Sequence, residues 1–132
     1  MAEYWSRHQL QQAGFDGMTI QSAGLGALRN RPIAPEMQLI LNRHDINSDA
    51  HRGQQVSETL AVDADIIFVM EPWQKKELAL AFPNAHGKIF LLGQWRDEVI
   101  SDPYRETQDV FEKTFKLIKS NWKLWQHKLW QN

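Results

Sequence analysis

Asp65-Ile66-Ile67-Phe68-Val69-Met70 sets five apolar residues in succession behind one acid, with no alternation of polar and apolar positions. A strand with one wet face alternates, whereas a strand covered on both faces does not, because each side of the pleat meets protein. Residues 65–70 are therefore expected to form an interior strand of a parallel sheet. Lys88-Ile89-Phe90-Leu91-Leu92 repeats the pattern and is stopped by Gly93. Between the two, Pro72 suits the first turn of a helix and Pro83 ends it. Strand, helix, strand in that order predicts an α/β fold with right-handed crossovers.

Upstream, residues 2–13 hold neither Pro nor Gly and stop at Gly14, as a helix with a C-terminal glycine does. Residues 18–22 read as a third strand, followed by a glycine-bearing turn over 23–26. Pro32 and Pro35 punctuate the start of a second helix, and Ile33, Met37, Ile40, Leu41 and His44 share one helical face. A polar loop over 47–55 and a short helix at 57–61 lead into the decisive strand. Downstream, a polar loop over 94–101 precedes Asp102-Pro103-Tyr104. A long helix then closes the chain, with Phe111, Phe115, Ile118, Trp122, Trp125 and Leu129 forming one apolar stripe that reads as core. Three strands and a helix with no strand before it look unfinished for a doubly wound fold.

The totals narrow the function. At 132 residues, 42% apolar and 23% charged, the chain is expected to form one soluble domain over 1–132. A net charge of -1, no block of like charge and no apolar run of membrane-spanning length argue against nucleic-acid and membrane partners. A cytoplasmic location is the expectation. There are no cysteines, so disulfides, thiolate metal sites and cysteine nucleophiles are excluded for this polypeptide. The five histidines show no metal-ligand spacing, and no metal is expected.

Several local patterns, in order, resemble the low-molecular-weight protein tyrosine phosphatases. Met1-Ala2-Glu3 before a helix is similar to the end of that family's Arg-Ser-Pro-x-Ala-Glu run. Ser22-Ala23-Gly24 resembles the end of its second strand, and His51-Arg52-Gly53-Gln54-Gln55 its His-x-Ala-Arg-Gln segment. Met70-Glu71, Leu92-Gly93-Gln94-Trp95 and Asp102-Pro103-Tyr104 follow in the family's order. The resemblance spans essentially the whole chain. It implies a three-layer sandwich around a parallel sheet of strand order two-one-three-four, in which the first, interior strand is missing from this chain. The family's phosphate loop (Cys, five residues, Arg, then Ser or Thr and Pro) has no counterpart here. The expectation is that the chain begins after that loop, through assignment of an internal methionine as the start. Without the interior strand, 18–22 and 65–70 would each expose an edge, so the chain alone is expected to be marginal, aggregation-prone or partner-dependent.

By the same resemblance the complete parent would hydrolyse a phosphotyrosine protein or a small aryl phosphate through a cysteinyl phosphate, without a cofactor. Asp102 would be the general acid and Tyr104 would wall the pocket against the substrate ring. Ser22 and His51 would hold the phosphate loop from behind. Gln54 stands where the family often has Arg, and Arg105 where some relatives carry a second aromatic residue. Read by themselves, Asp102-Pro103-Tyr104 is a turn before a helix and His51 an exposed loop residue. Two further readings stay open. One is a non-catalytic relative acting as a protein-binding module, which an exposed 122–130 face would favour. The other is an arsenate-reductase relative, whose cysteine relay this chain lacks. Oligomeric state is left open.

Overall fold

A computed structural model describes residues 1–15, 17–25 and 32–130. Among them are five α-helices, α1 (Ala2–Gln12), α2 (Pro35–Arg43), α3 (Glu58–Asp63), α4 (Pro72–Ala81) and α5 (Gln108–Leu129), and two strands, β1 (Ile67–Val69) and β2 (Ile89–Leu91). Short 3-10 turns occupy Pro83–Lys88 and Gln94–Arg96. The strands pair in parallel, with Ile67 opposite Ile89 and Val69 opposite Leu91, and α4 makes the crossover.

The unalternating sequence of the strands has the expected cause. Phe68, Met70, Phe90 and Leu92 point to one core, with Trp5, Leu10, Leu41, Phe111, Phe115 and Trp122. Ile67, Val69, Ile89 and Leu91 point to a second, with Ala61, Leu78 and Ala85. Helices α1, α2 and α5 thus cover one face of the sheet and α3 and α4 the other, giving the three layers of an α/β sandwich. Phe111, 1% exposed, anchors the larger core and contributes roughly 1.5–3 kcal/mol by its burial.

The helices begin and end for local reasons. α1 closes in a Schellman arrangement: Phe15 N–H donates to Leu10 O (2.9 Å), Gly14 N–H donates to Gln11 O (3.1 Å), and Gly14 takes φ +88°. Ser57 caps α3, its hydroxyl accepting from Leu60 N–H at 3.2 Å. Pro72 opens α4, and the Gln74 side chain accepts from Met70 and Glu71 N–H. Along α5 the apolar stripe turns inward as far as Trp125, whose indole N–H donates to Leu92 O at 2.8 Å, but Leu129 lies outside the core at 39% exposed. Arg43 clamps Glu112 bidentately at 2.9 and 3.0 Å and ties α2 to α5.

One expected element differs. Residues 18–22 form no strand, and no described strand lies alongside them. Their carbonyls are met by side chains instead of a ladder: Arg7 donates to Ile20 O and Gln54 Nε2 to Ser22 O, the latter at 2.8 Å. Pairing begins only at Gly24, which bridges in parallel to Gln55. The last residue of the expected 23–26 turn lies outside the described residues. Strands 65–70 and 88–92 also form over shorter spans than expected, 67–69 and 89–91.

Candidate functional site

Two groups of residues singled out in the sequence lie at defined places in this fold. The first gathers on the opening turn of α1. The Glu3 carboxylate accepts from the Ser22 hydroxyl through one oxygen and from Arg7 Nη2 through the other, the latter at 2.6 Å. The partner oxygen of Ser22 lies 3.9 Å from His51 Nδ1. Tyr4 packs edge-on against the His51 ring at 5.6 Å, and Arg7 sits 5.2 Å over the Tyr4 ring. Gln54 fastens the same segment from the other side through the Ser22 carbonyl. Ser22 and His51, 29 positions apart in the numbering, thus share one carboxylate.

In the sequence Glu3 stands out only within the Met1-Ala2-Glu3 run. Its pairing with Arg7 at i,i+4 is the ordinary pattern of a helix surface pair, which was the signal available. What the spacing could not say is that the pair is mostly buried, with 12% of the Glu3 side chain exposed. Burial pushes the His51 imidazole below its ordinary value. The Glu3 carboxylate opposes this, while the charges of the amino terminus, Arg52 and Arg7 add to the lowering. A neutral imidazole 3.9 Å from a carboxylate is a polar neighbour rather than an ion pair.

The second group is the loop before α5. Ile100 is buried and its N–H donates to Met70 O, so the loop hangs from the carboxyl end of β1. Ligands of open α/β sheets bind at that end of the strands. Asp102 Oδ1 accepts from Tyr104 N–H at 3.0 Å, an Asx turn, and Pro103 is buried beneath it. Glu106 N–H closes the turn on Pro103 O at 2.8 Å, with Arg105 at φ +64°. Asp102 and Tyr104 are exposed, and the Arg105 guanidinium lies 5.2 Å over the Tyr104 ring. The loop is thus both a well-formed turn and a platform carrying a carboxylate and a phenol ring. Among the described residues no hydrogen bond or ring contact joins it to the Glu3 cluster.

A third loop, after β2, depends on a glycine. A Cβ at Gly93 would meet Glu98 O at 2.0 Å, because Glu98 N–H folds back onto Gly93 O at 3.0 Å. That close approach presents Trp95, which packs at a tilt against Trp125, 5.2 Å between rings, and is covered by the Lys128 ammonium at 4.4 Å. Among the described residues no three His, Asp or Glu side chains gather as a metal ion would require. No described helix is long and apolar enough to cross a membrane.

A profile of the family described as low molecular weight phosphotyrosine protein phosphatase matches residues 1–132. The chain belongs to that family. This phosphatase-family chain is similar to the probable low molecular weight protein-tyrosine-phosphatase EpsP of Ralstonia nicotianae, at 34% identity over 116 residues, which are 88% of the chain and 80% of the relative. It is 34% identical over 109 residues to the low molecular weight protein-tyrosine-phosphatase Wzb of Salmonella typhimurium, covering 82% and 73% of the two. Among solved structures it superposes on Vibrio vulnificus Wzb in complex with benzylphosphonate with a TM-score of 0.88 at 28% identity, over 97% of this chain and 88% of that one. The α/β sandwich is thus that of the phosphatase family.

Proposed function

We propose that this fold serves the hydrolysis of phosphotyrosine or a small aryl phosphate, and that the 132-residue polypeptide does not complete that reaction itself. The observation that carries the first half is the anchoring of Asp102-Pro103-Tyr104 at the carboxyl end of β1, through Ile100 N–H and Met70 O. Asp102 would protonate the phenolate oxygen as the P–O bond breaks, and then take a proton from the water that attacks phosphorus. Tyr104 would line the pocket against the aryl ring. Ser22 and His51, gathered on Glu3, would brace a phosphate-binding loop placed before α1.

The second half rests on composition. The family's route forms an S–P bond as the P–O bond breaks, and the chain has no sulfur nucleophile because it has no cysteine. Of the tryptophans on the 122–130 face, Trp122 and Trp125 are 6% and 3% exposed and Trp130 is half-buried, so the face is not the open aromatic surface that the non-catalytic reading called for.

An assay of the purified chain with an aryl phosphate tests the proposal. The expected result is phosphate release no faster than in buffer, with no phosphate retained on acid-quenched protein. Saturable turnover would overturn the claim that the polypeptide is inactive.

A further inference from the structure

α1 and α5 border a groove of about 840 Å³ that contains none of Ser22, His51, Asp102 or Tyr104. Its apolar lining is aromatic, from Trp5, Phe15, Trp122 and Trp130, with the last two rings 5.6 Å apart. Gln9 and Gln126 supply amide groups, the latter held by the Trp122 indole N–H at 2.8 Å. The ionisable groups on its rim are Lys119, Lys123 and His127, and among the described residues no carboxylate lines it.

The charge of the rim is part of a larger asymmetry. From Lys113 to Trp130 the chain carries five lysines and no Asp or Glu, although its formal net charge is -1. Lys113, Lys116, Lys119, Lys123 and Lys128 are all exposed. α5 buries its apolar stripe in the core, and Lys119 and Lys128, both exposed, lie 5.3 and 4.4 Å over the Phe115 and Trp95 rings; a merely solubilising face would mix both signs. A cationic rim around an aromatic floor, with no carboxylate among the described lining residues, matches a ligand with negative charge flanking a bulky apolar group.

We propose that the α1/α5 groove is a docking site for an acidic peptide segment of a partner protein, one that carries an aromatic or leucine anchor between its carboxylates. The anchor would enter between Phe15 and Trp130 while the carboxylates meet Lys119 and Lys123. A concave recess between two helices suits a peptide better than a lipid surface. The inference is independent of the phosphatase chemistry.

The test uses the 132-residue chain and a 15-residue synthetic peptide of glutamates with one central Trp and two Leu, followed by calorimetry and by the indole N–H signals of the tryptophans. The expected result is saturable binding that perturbs the Trp122 and Trp130 signals. K119E/K123E should weaken it at least about tenfold, as loss of two opposing charges at an interface does. Trp130→Ala should weaken it comparably with the lysines intact. Absence of binding would overturn the proposal, as would binding indifferent to K119E/K123E. Tighter association with phosphatidylserine vesicles than with the peptide would overturn it in favour of a membrane surface. Self-association abolished by K119E/K123E, without peptide binding, would overturn it in favour of a second copy of the chain.

Discussion

Glu3 and Ser22 are joined by a hydrogen bond from hydroxyl to carboxylate that links the first turn of α1 to a segment 19 residues away. Arg7 doubles the link, donating to both Glu3 and Ile20 O. Side chains of α1 therefore perform for residues 18–22 the work that a neighbouring strand performs elsewhere in a sheet. Glu3→Ala removes the acceptor for two donors at once and should cost about 1–3 kcal/mol. A fall in the urea midpoint of that order is expected, together with a further fall in the His51 pKa as the Glu3 attraction is lost. An unchanged midpoint would show that the link carries no stability.

His51 gives the chain a pH dependence of definite sign. Its folded pKa lies below the ordinary 6.5, chiefly through burial. The unfolded chain therefore binds the His51 proton first as pH falls, and the stability linked to His51 is lost below about 6.5. Chemical unfolding at pH 7.5 and pH 5.5 checks this. His51→Gln should shrink the difference between the two midpoints, and an undiminished difference would place the titration elsewhere.

Gly93→Ala should destabilise the chain by about 1–3 kcal/mol, because the added Cβ meets backbone at Glu98 that cannot swing away. Thermal unfolding reads the cost. A tolerated substitution would mean that the 93–98 turn is looser than its hydrogen bonds imply.

Trp125→Phe keeps most of the aromatic packing but strands the Leu92 carbonyl, which the indole N–H satisfies in a buried setting. The expected loss is about 1–3 kcal/mol. Trp122→Phe is a fitting control, since its indole bonds the partly exposed Gln126 side chain and should cost less.

The helices and the two buried strands were legible because each is written in local pattern. Apolar runs announced 65–70 and 88–92, Gly14 announced the end of α1, and prolines marked the starts of α2 and α4. Residues 18–22 show the limit of such reading. Met18 and Ile20 pack on the core while Thr19 and Gln21 face out, so burial along the segment alternates as it does in a strand. Alternation reports which face is buried, however, and not whether a ladder partner stands alongside. The site was half legible in the same sense. The family resemblance singled out Ser22 and His51, but their meeting on Glu3 depends on how α1 lies against two loops. The Asx turn of Asp102 was foreseeable from Asp-Pro-Tyr itself, whereas its anchoring through Ile100 to β1 needed the fold.

The central proposal is that Asp102 serves as general acid on this fold, in a chain whose sequence holds no cysteine to attack phosphorus. Its most direct test is to fuse a strand and a Cys-x5-Arg-Ser-Pro loop ahead of residue 1 and to measure kcat on an aryl phosphate. The account predicts that the fusion gains turnover, and that Asp102→Asn then lowers kcat by about 10²–10⁴. A folded fusion that binds phosphate but shows no turnover, or one indifferent to Asp102→Asn, would contradict it.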